Sequence, residues 1–207
     1  VVSRFQSRIG PNRVGPFGLI QPFADIIKLL IKEDTTPEGA DKTLYNLAPI
    51  LSMMSVLILW AVVPLAPSIL GVDLNIGALY IIAAGAIGAL SIIMAGWSSN
   101  NKYSLIGAFR EVAVMLSFEI PMLTVMLIPA IFTGSMGIGA ITQAQDTWFV
   151  FLAPLAAVIF LIAAIAELGR APFDMGEAES ELISGYNIEY SGMKFGMFYA
   201  GELLHAF

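Results

Sequence analysis

A chain of 207 residues that is 57% hydrophobic and only 13% charged, with a mean hydropathy of +0.81, lacks the polar surface to cover a soluble core, so lipid is its natural solvent. It has no cysteine, which excludes disulfides, thiolate metal centres and iron–sulfur ligation by this chain. A net charge of −6 argues against nucleic acid as a partner, and the lone His205 falls short of a His-based metal pair.

From the N-terminus, Arg8-Ile9-Gly10-Pro11-Asn12-Arg13-Val14-Gly15-Pro16 is dense in Gly and Pro and reads as a turn. Phe17–Glu33 then reads as an amphipathic helix. Gln21, Asp25, Lys28 and Lys32 form one polar stripe, with Phe17, Ile20, Phe23, Ile27, Leu30 and Ile31 around it. Two readings stay open: an interfacial anchor, or a helix whose stripe lines a polar cavity. Residues 1–43 are therefore expected to lie outside the membrane, as a cytoplasmic loop with this helix.

A bilayer core about 30 Å thick takes roughly 20 helical residues. Four segments have that length and character: 47–65, 76–95, 112–132 and 147–166, with a fifth over 190–207. No segment alternates with a strand period, and helices satisfy their own backbone in lipid. The expected fold class is therefore all-α, a polytopic transmembrane bundle with an interfacial amphipathic helix and ordered cytoplasmic loops. The connections 66–73 and 133–146 contain no Lys or Arg, so all ten basic residues fall on the other side. That side is expected to be cytoplasmic. The chain begins at Val1 and stops at Phe207 inside an apolar stretch, which reads as a fragment of a longer protein.

Ionisable groups inside the apolar segments are the chemical signal. Glu111 and Glu119 lie on the third span, and a carboxylate there costs about 2.5 kcal/mol or more unless it is paired or protonated. Glu119 reads either as a proton carrier or as a structural hydrogen-bonding group. The loop 167–189 holds Glu167, Asp174, Glu177, Glu179, Glu181 and Glu189 against a single cation, Arg170. It reads either as solvated acidic surface or as a packed cluster, the latter because it is interleaved with Pro172, Phe173, Leu182, Ile183 and Tyr186, which do not suit a solvated tail. Packed carboxylates cannot all ionise, so such a cluster responds to a nearby change of charge. His205 reads as a polar helix residue. There is no phosphate loop, nucleotide-binding glycine fingerprint, nucleophile elbow or metal-ligand helix, so redox electrons would have to be carried by a partner's cofactor.

Three stretches resemble the cytoplasmic loops of a family of membrane proteins, the H subunits of NADH-quinone oxidoreductase, whose mitochondrial counterpart is subunit 1 of respiratory complex I. The first is Arg8–Pro16 with Gln21-Pro22-Phe23-Ala24-Asp25 and Lys32-Glu33. The second is Gly96-Trp97-Ser98-Ser99-Asn100-Asn101-Lys102-Tyr103-Ser104-Leu105. The third runs from Ala166-Glu167 through Arg170-Ala171-Pro172-Phe173-Asp174 and Glu177-Ala178-Glu179-Ser180-Glu181-Leu182 to Glu189-Tyr190-Ser191-Gly192-Met193-Lys194-Phe195. Departures stand at Glu111-Val112-Ala113-Val114, Leu168-Gly169 and Met175-Gly176.

The resemblance implies a fragment that lacks the first and last helices of an eight-helix protein. It implies a quinone chamber shared with a peripheral arm, its wall including Arg8, Phe17, Gln21, Phe23, Asp25 and Lys28. It also implies a polar coupling route through Glu111, Glu119, Glu167, Arg170, Asp174, Glu177, Glu179, Glu181, Glu189 and Glu202. Quinone is then the substrate, and no cofactor is held by this chain alone. FMN and iron–sulfur clusters belong to partner subunits. Membrane lipid and the other subunits of the complex are the remaining partners, and no residue here is directly catalytic. The expected location is the plasma membrane of a bacterium or archaeon. A homologous membrane component of an energy-converting hydrogenase or ferredoxin-dependent complex, without quinone, is the alternative. A free-standing secondary transporter is disfavoured, since the chain shows no repeated halves.

Overall fold

The computed structural model describes residues 2–64, 71–169, 173 and 184–205. These are helical, with no strand among them: α1 (Val2–Phe5), α2 (Gln21–Ile31), α3 (Lys42–Trp60), α4 (Gly77–Ser98), α5 (Lys102–Thr133), α6 (Ile138–Gln143), α7 (Phe149–Leu152), α8 (Pro154–Glu167) and α9 (Gly192–His205). The chain folds as an all-helical membrane bundle. Helices α3, α4 and α5 are each long and apolar enough to cross a bilayer, and α8 is a shorter apolar helix.

Local sequence sets the ends. Asp41 caps α3 by accepting from the backbone N–H groups of Thr43 and Leu44 at 3.1 and 3.4 Å. Asn101 caps α5 by accepting from the Tyr103 N–H at 2.9 Å. Gly134, at φ +68°, terminates α5 in the left-handed region that glycine tolerates. Helix α5 thus starts at Lys102, well ahead of residue 112, because the Asn101 cap overrides the polar look of residues 102–111. The segment 147–166 is broken. Pro154 has no N–H and disfavours helical geometry in its predecessor, so Ala153 sits at φ −134°, ψ 65° between α7 and α8. The amphipathic helix also starts later than Phe17. Phe17 lies in a short 3₁₀ turn at φ +55°, and α2 begins at Gln21 with Pro22 in its first turn.

The packing is that of a bundle in lipid. Helix α4 buries Gly77, Ala78, Ala84, Ala89, Ser91, Ala95, Gly96 and Ser98, while Leu79, Leu90 and Trp97 point outward. Small residues inside let backbones approach, and large apolar ones face the solvent that suits them. Helix α4 packs between α3 and α5, α8 lies on α5, and α9 lies on α3.

One end of the bundle is fastened by aromatic and polar contacts. Tyr45 of α3 and Tyr190 stack with ring centroids 4.2 Å apart and planes 4° from parallel. Phe198 of α9 meets Tyr190 edge-on at 5.0 Å. Pro49, within α3, cannot donate to the Tyr45 carbonyl one turn earlier, and the Tyr190 hydroxyl donates to that carbonyl instead at 3.3 Å. The Tyr45 hydroxyl donates to the Glu189 carbonyl at 2.7 Å, Ser104 to the Tyr186 carbonyl at 3.0 Å, and Lys194 pairs with Asp34 at 2.8 Å. These contacts join the segment before α3, the starts of α3 and α5, and the segment before α9.

A candidate polar cleft among α3, α4, α5, α8 and α9

Between these helices lies a cleft of about 90 Å³, lined by Glu111, Glu167, Glu202 and His205 together with Ser52, Ser55 and Tyr186. That volume accommodates several water molecules. Each carboxylate comes from a different helix. Glu111 lies in the first third of α5, Glu167 is the last residue of α8, and Glu202 stands about one turn before His205 on α9. Residues 198, 201/202 and 205 recur at helical spacing, so Phe198, Gly201, Glu202 and His205 share one face and all line the cleft. The space exists because glycines line its walls. A Cβ on Gly85 would stand 3.8 Å from Glu167 Oε1, and one on Gly169 would stand 3.2 Å from Glu111 Oε1.

The central contact is between His205 Nε2 and Glu167 Oε1, at 3.4 Å. The Glu167 side chain is 12% exposed and that of His205 24%. With Nε2 protonated, the imidazole donates to the carboxylate. Glu119 lies outside this lining but within electrostatic range of Glu167. Its neighbour Phe118 meets Phe173 edge-on at 5.0 Å. The arrangement is a row of exchangeable carboxyl groups and one imidazole inside an apolar bundle.

The NADH dehydrogenase family matches residues 1–207. The chain belongs to this family. Among its relatives, the H subunit of NADH-quinone oxidoreductase from Dehalococcoides mccartyi (strain CBDB1) is 52% identical over 202 residues, 98% of this chain and 57% of the relative. The corresponding NADH-quinone oxidoreductase protein of Brevibacillus brevis is 50% identical over 208 residues, 100% of this chain and 62% of the relative. That of Rickettsia bellii is 47% identical over 206 residues, 98% of this chain and 60% of the relative. The chain thus spans about three fifths of the length of these relatives.

In this member of the NADH dehydrogenase family, the residues singled out from sequence separate into groups. Glu111, Glu167 and Glu202 are brought together in the cleft. Glu189 is elsewhere: its carboxylate accepts from the Asn101 amide at 2.7 Å, and it lines a separate recess with Pro37, Gly39 and Lys102. Arg170, Asp174, Glu177, Glu179 and Glu181 lie outside the described residues. The six chamber candidates do not line the polar cleft. Phe17 is 93% exposed and Phe23 67%. Gln21 donates to Asp25 at 3.0 Å along α2, and Arg8 donates to Gln6 at 2.8 Å. Lys28 is exposed on the same helix.

Sequence reasoning read His205 as an incidental polar helix residue; the structure places it in the cleft, 3.4 Å from Glu167. The signal was its i+3 spacing from Glu202 and its i+7 spacing from Phe198.

Proposed function

We propose that this chain is the membrane component that forms, with a peripheral arm, the quinone chamber of a complex I-type NADH-quinone oxidoreductase. It couples quinone reduction to proton translocation in the plasma membrane of a bacterium or archaeon. FMN and iron–sulfur clusters in partner subunits carry the electrons, and this chain supplies a binding wall and a proton route. The observation that carries the reading is the polar cleft, in which Glu111, Glu167, Glu202 and His205 meet inside an otherwise apolar bundle. The relatives' names supply the chemical setting.

The physics is local. Adding electrons to a bound quinone changes the charge of its surroundings until protons follow. At an effective dielectric of about 20, two unit charges ~4 Å apart interact by about 4 kcal/mol, against about 1 kcal/mol in water. One unit of carboxyl pKa corresponds to about 1.4 kcal/mol. A change of charge near the acidic segment is therefore large enough to alter the protonation of a neighbouring carboxyl, and Glu119, Glu167 and Glu202 pass that change along the bundle. By the resemblance, Glu177, Glu179 and Glu181 take part in the same route, with Arg170 as the one cation of their segment.

The test is Glu119→Gln, Glu167→Gln and Glu202→Gln in the complete complex. Quinone-dependent NADH oxidation and proton uptake are measured in membrane vesicles, with assembly followed on native gels. Proton uptake is expected to fall by roughly a hundredfold or more, the range lost when a positioned proton-transfer group is removed, while the complex stays assembled. Normal pumping in all three variants would sink the reading.

A further inference from the structure

We infer that His205 is a proton-transfer residue of the cleft, exchanging protons directly with Glu167, so that the route through the bundle runs through an imidazole as well as carboxyls. This deepens the reading of the cleft as a proton route and rests on it.

Three observations carry the inference. His205 is the only histidine in the sequence, and it is placed on the cleft face of α9 rather than toward lipid. Its Nε2 stands 3.4 Å from Glu167 Oε1, long for a hydrogen bond but short enough for a small rotation to close. The ionisable groups that share its cleft come from each neighbouring helix that offers one: Glu111 from α5, Glu167 from α8 and Glu202 from its own helix. Helices α3 and α4 contribute Ser52 and Ser55 and the glycines Gly85 and Gly88, with no charged group.

An imidazole suits this position chemically. It has two nitrogens, so it can accept a proton at one and release it from the other, which a single carboxyl does only by turning its hydroxyl. In the transfer step, the proton on Nε2 of the imidazolium moves to Oε1 of the Glu167 carboxylate. The ion pair becomes a neutral imidazole and a neutral carboxylic acid, with no change in total charge. Glu167 then releases its own proton, and one arriving from the Glu202 side restores the imidazolium. An ion pair that neutralises itself during transfer avoids leaving a net charge uncompensated in the apolar interior.

The test uses His205→Gln in the complete complex in membrane vesicles. A glutamine amide can still donate to Glu167, but it cannot carry a proton. The expected result is a proton-to-electron ratio reduced severalfold in an assembled complex. The deficit should be relieved by added imidazole in a His205→Gly variant, a rescue that a purely structural role would not show. If the glutamine variant does not assemble, His205→Asn is read in its place. A wild-type ratio in an assembled His205→Gln or His205→Asn complex overturns the inference, as does a deficit in His205→Gly that imidazole leaves unchanged. The two ideas fail separately. Normal pumping in Glu119→Gln, Glu167→Gln and Glu202→Gln removes the route itself, whereas loss in those variants with normal pumping in His205→Gln removes only the histidine.

Discussion

Gly107 of α5 faces the segment before α9 so closely that an added Cβ would lie 2.7 Å from the Gly185 Cα and 3.1 Å from the Tyr186 N. Both neighbours are backbone, and neither can rotate away. The adjacent Ser104 hydroxyl already holds the Tyr186 carbonyl at 3.0 Å, so the two segments are locked at this separation. Gly107→Ala is expected to destabilise the protein by about 1–3 kcal/mol, the usual cost of overpacking. The effect should appear as a lowered thermal midpoint and a reduced yield of assembled complex. Gly169 constrains a different property. Its φ of +57° disfavours any side chain, and a Cβ there would press on Glu111. This gives a chemical reason for glycine at a position where the sequence departs from the family's usual pattern.

Among the helices of ten residues or more, α2 is distinctive in having no buried residue, although it carries Phe23, Ile26, Ile27, Leu30 and Ile31. Its anchor to the bundle is Leu29, which lies 3.3 Å from where a Cβ of Gly196 on α9 would sit. The rest of its apolar surface is open. We propose that this surface belongs to the quinone entrance and admits an isoprenoid tail. A long-tailed photoreactive quinone should label α2 or its immediate neighbours in the intact complex. Labelling confined to residues 134–147 would refute that placement. Helix α5 illustrates the opposite case. It continues through Pro121 and Pro129, and threonine hydroxyls one turn on donate to the proline carbonyls, Thr124 to Pro121 at 2.7 Å and Thr133 to Pro129 at 3.0 Å.

Over the whole molecule, the charges and the fastened end point the same way. Helix α5 has 32 residues, about 48 Å at 1.5 Å per residue, so Asn100 before it and residues 142–146 beyond it lie at opposite faces of a bilayer core about 30 Å thick. Lys42, Lys102 and Lys194 stand at or near the starts of α3, α5 and α9, at the end where Tyr45, Tyr190 and Glu189 join the segments. From the positive-inside tendency we propose that this end is cytoplasmic. A topology reporter at Asn100 should be cytoplasmic and one within 142–146 external. Finding both on one side would overturn the arrangement and the chamber built on it.

Composition and pattern alone determined that this chain is a helical membrane protein, because apolar runs of bilayer length admit few other folds. The cap at Asn101 and the break at Pro154 were also written in local sequence, since each acts through a hydrogen bond made or denied within one helical turn. Glu111 could be picked out singly, because a carboxyl in an apolar run is costly wherever it points, Glu167 as part of an acidic segment, and Glu202 through the family resemblance. Their meeting could not be read that way. Residue 111 reaches residue 202 only after α8 has folded back on α5 and α9 has packed on α3, and the sequence holds no period that encodes those contacts. The same holds for Glu189, whose carboxylate resembles its neighbours in sequence but is taken by Asn101. His205, an incidental polar residue in one dimension, becomes the partner of Glu167 only in three.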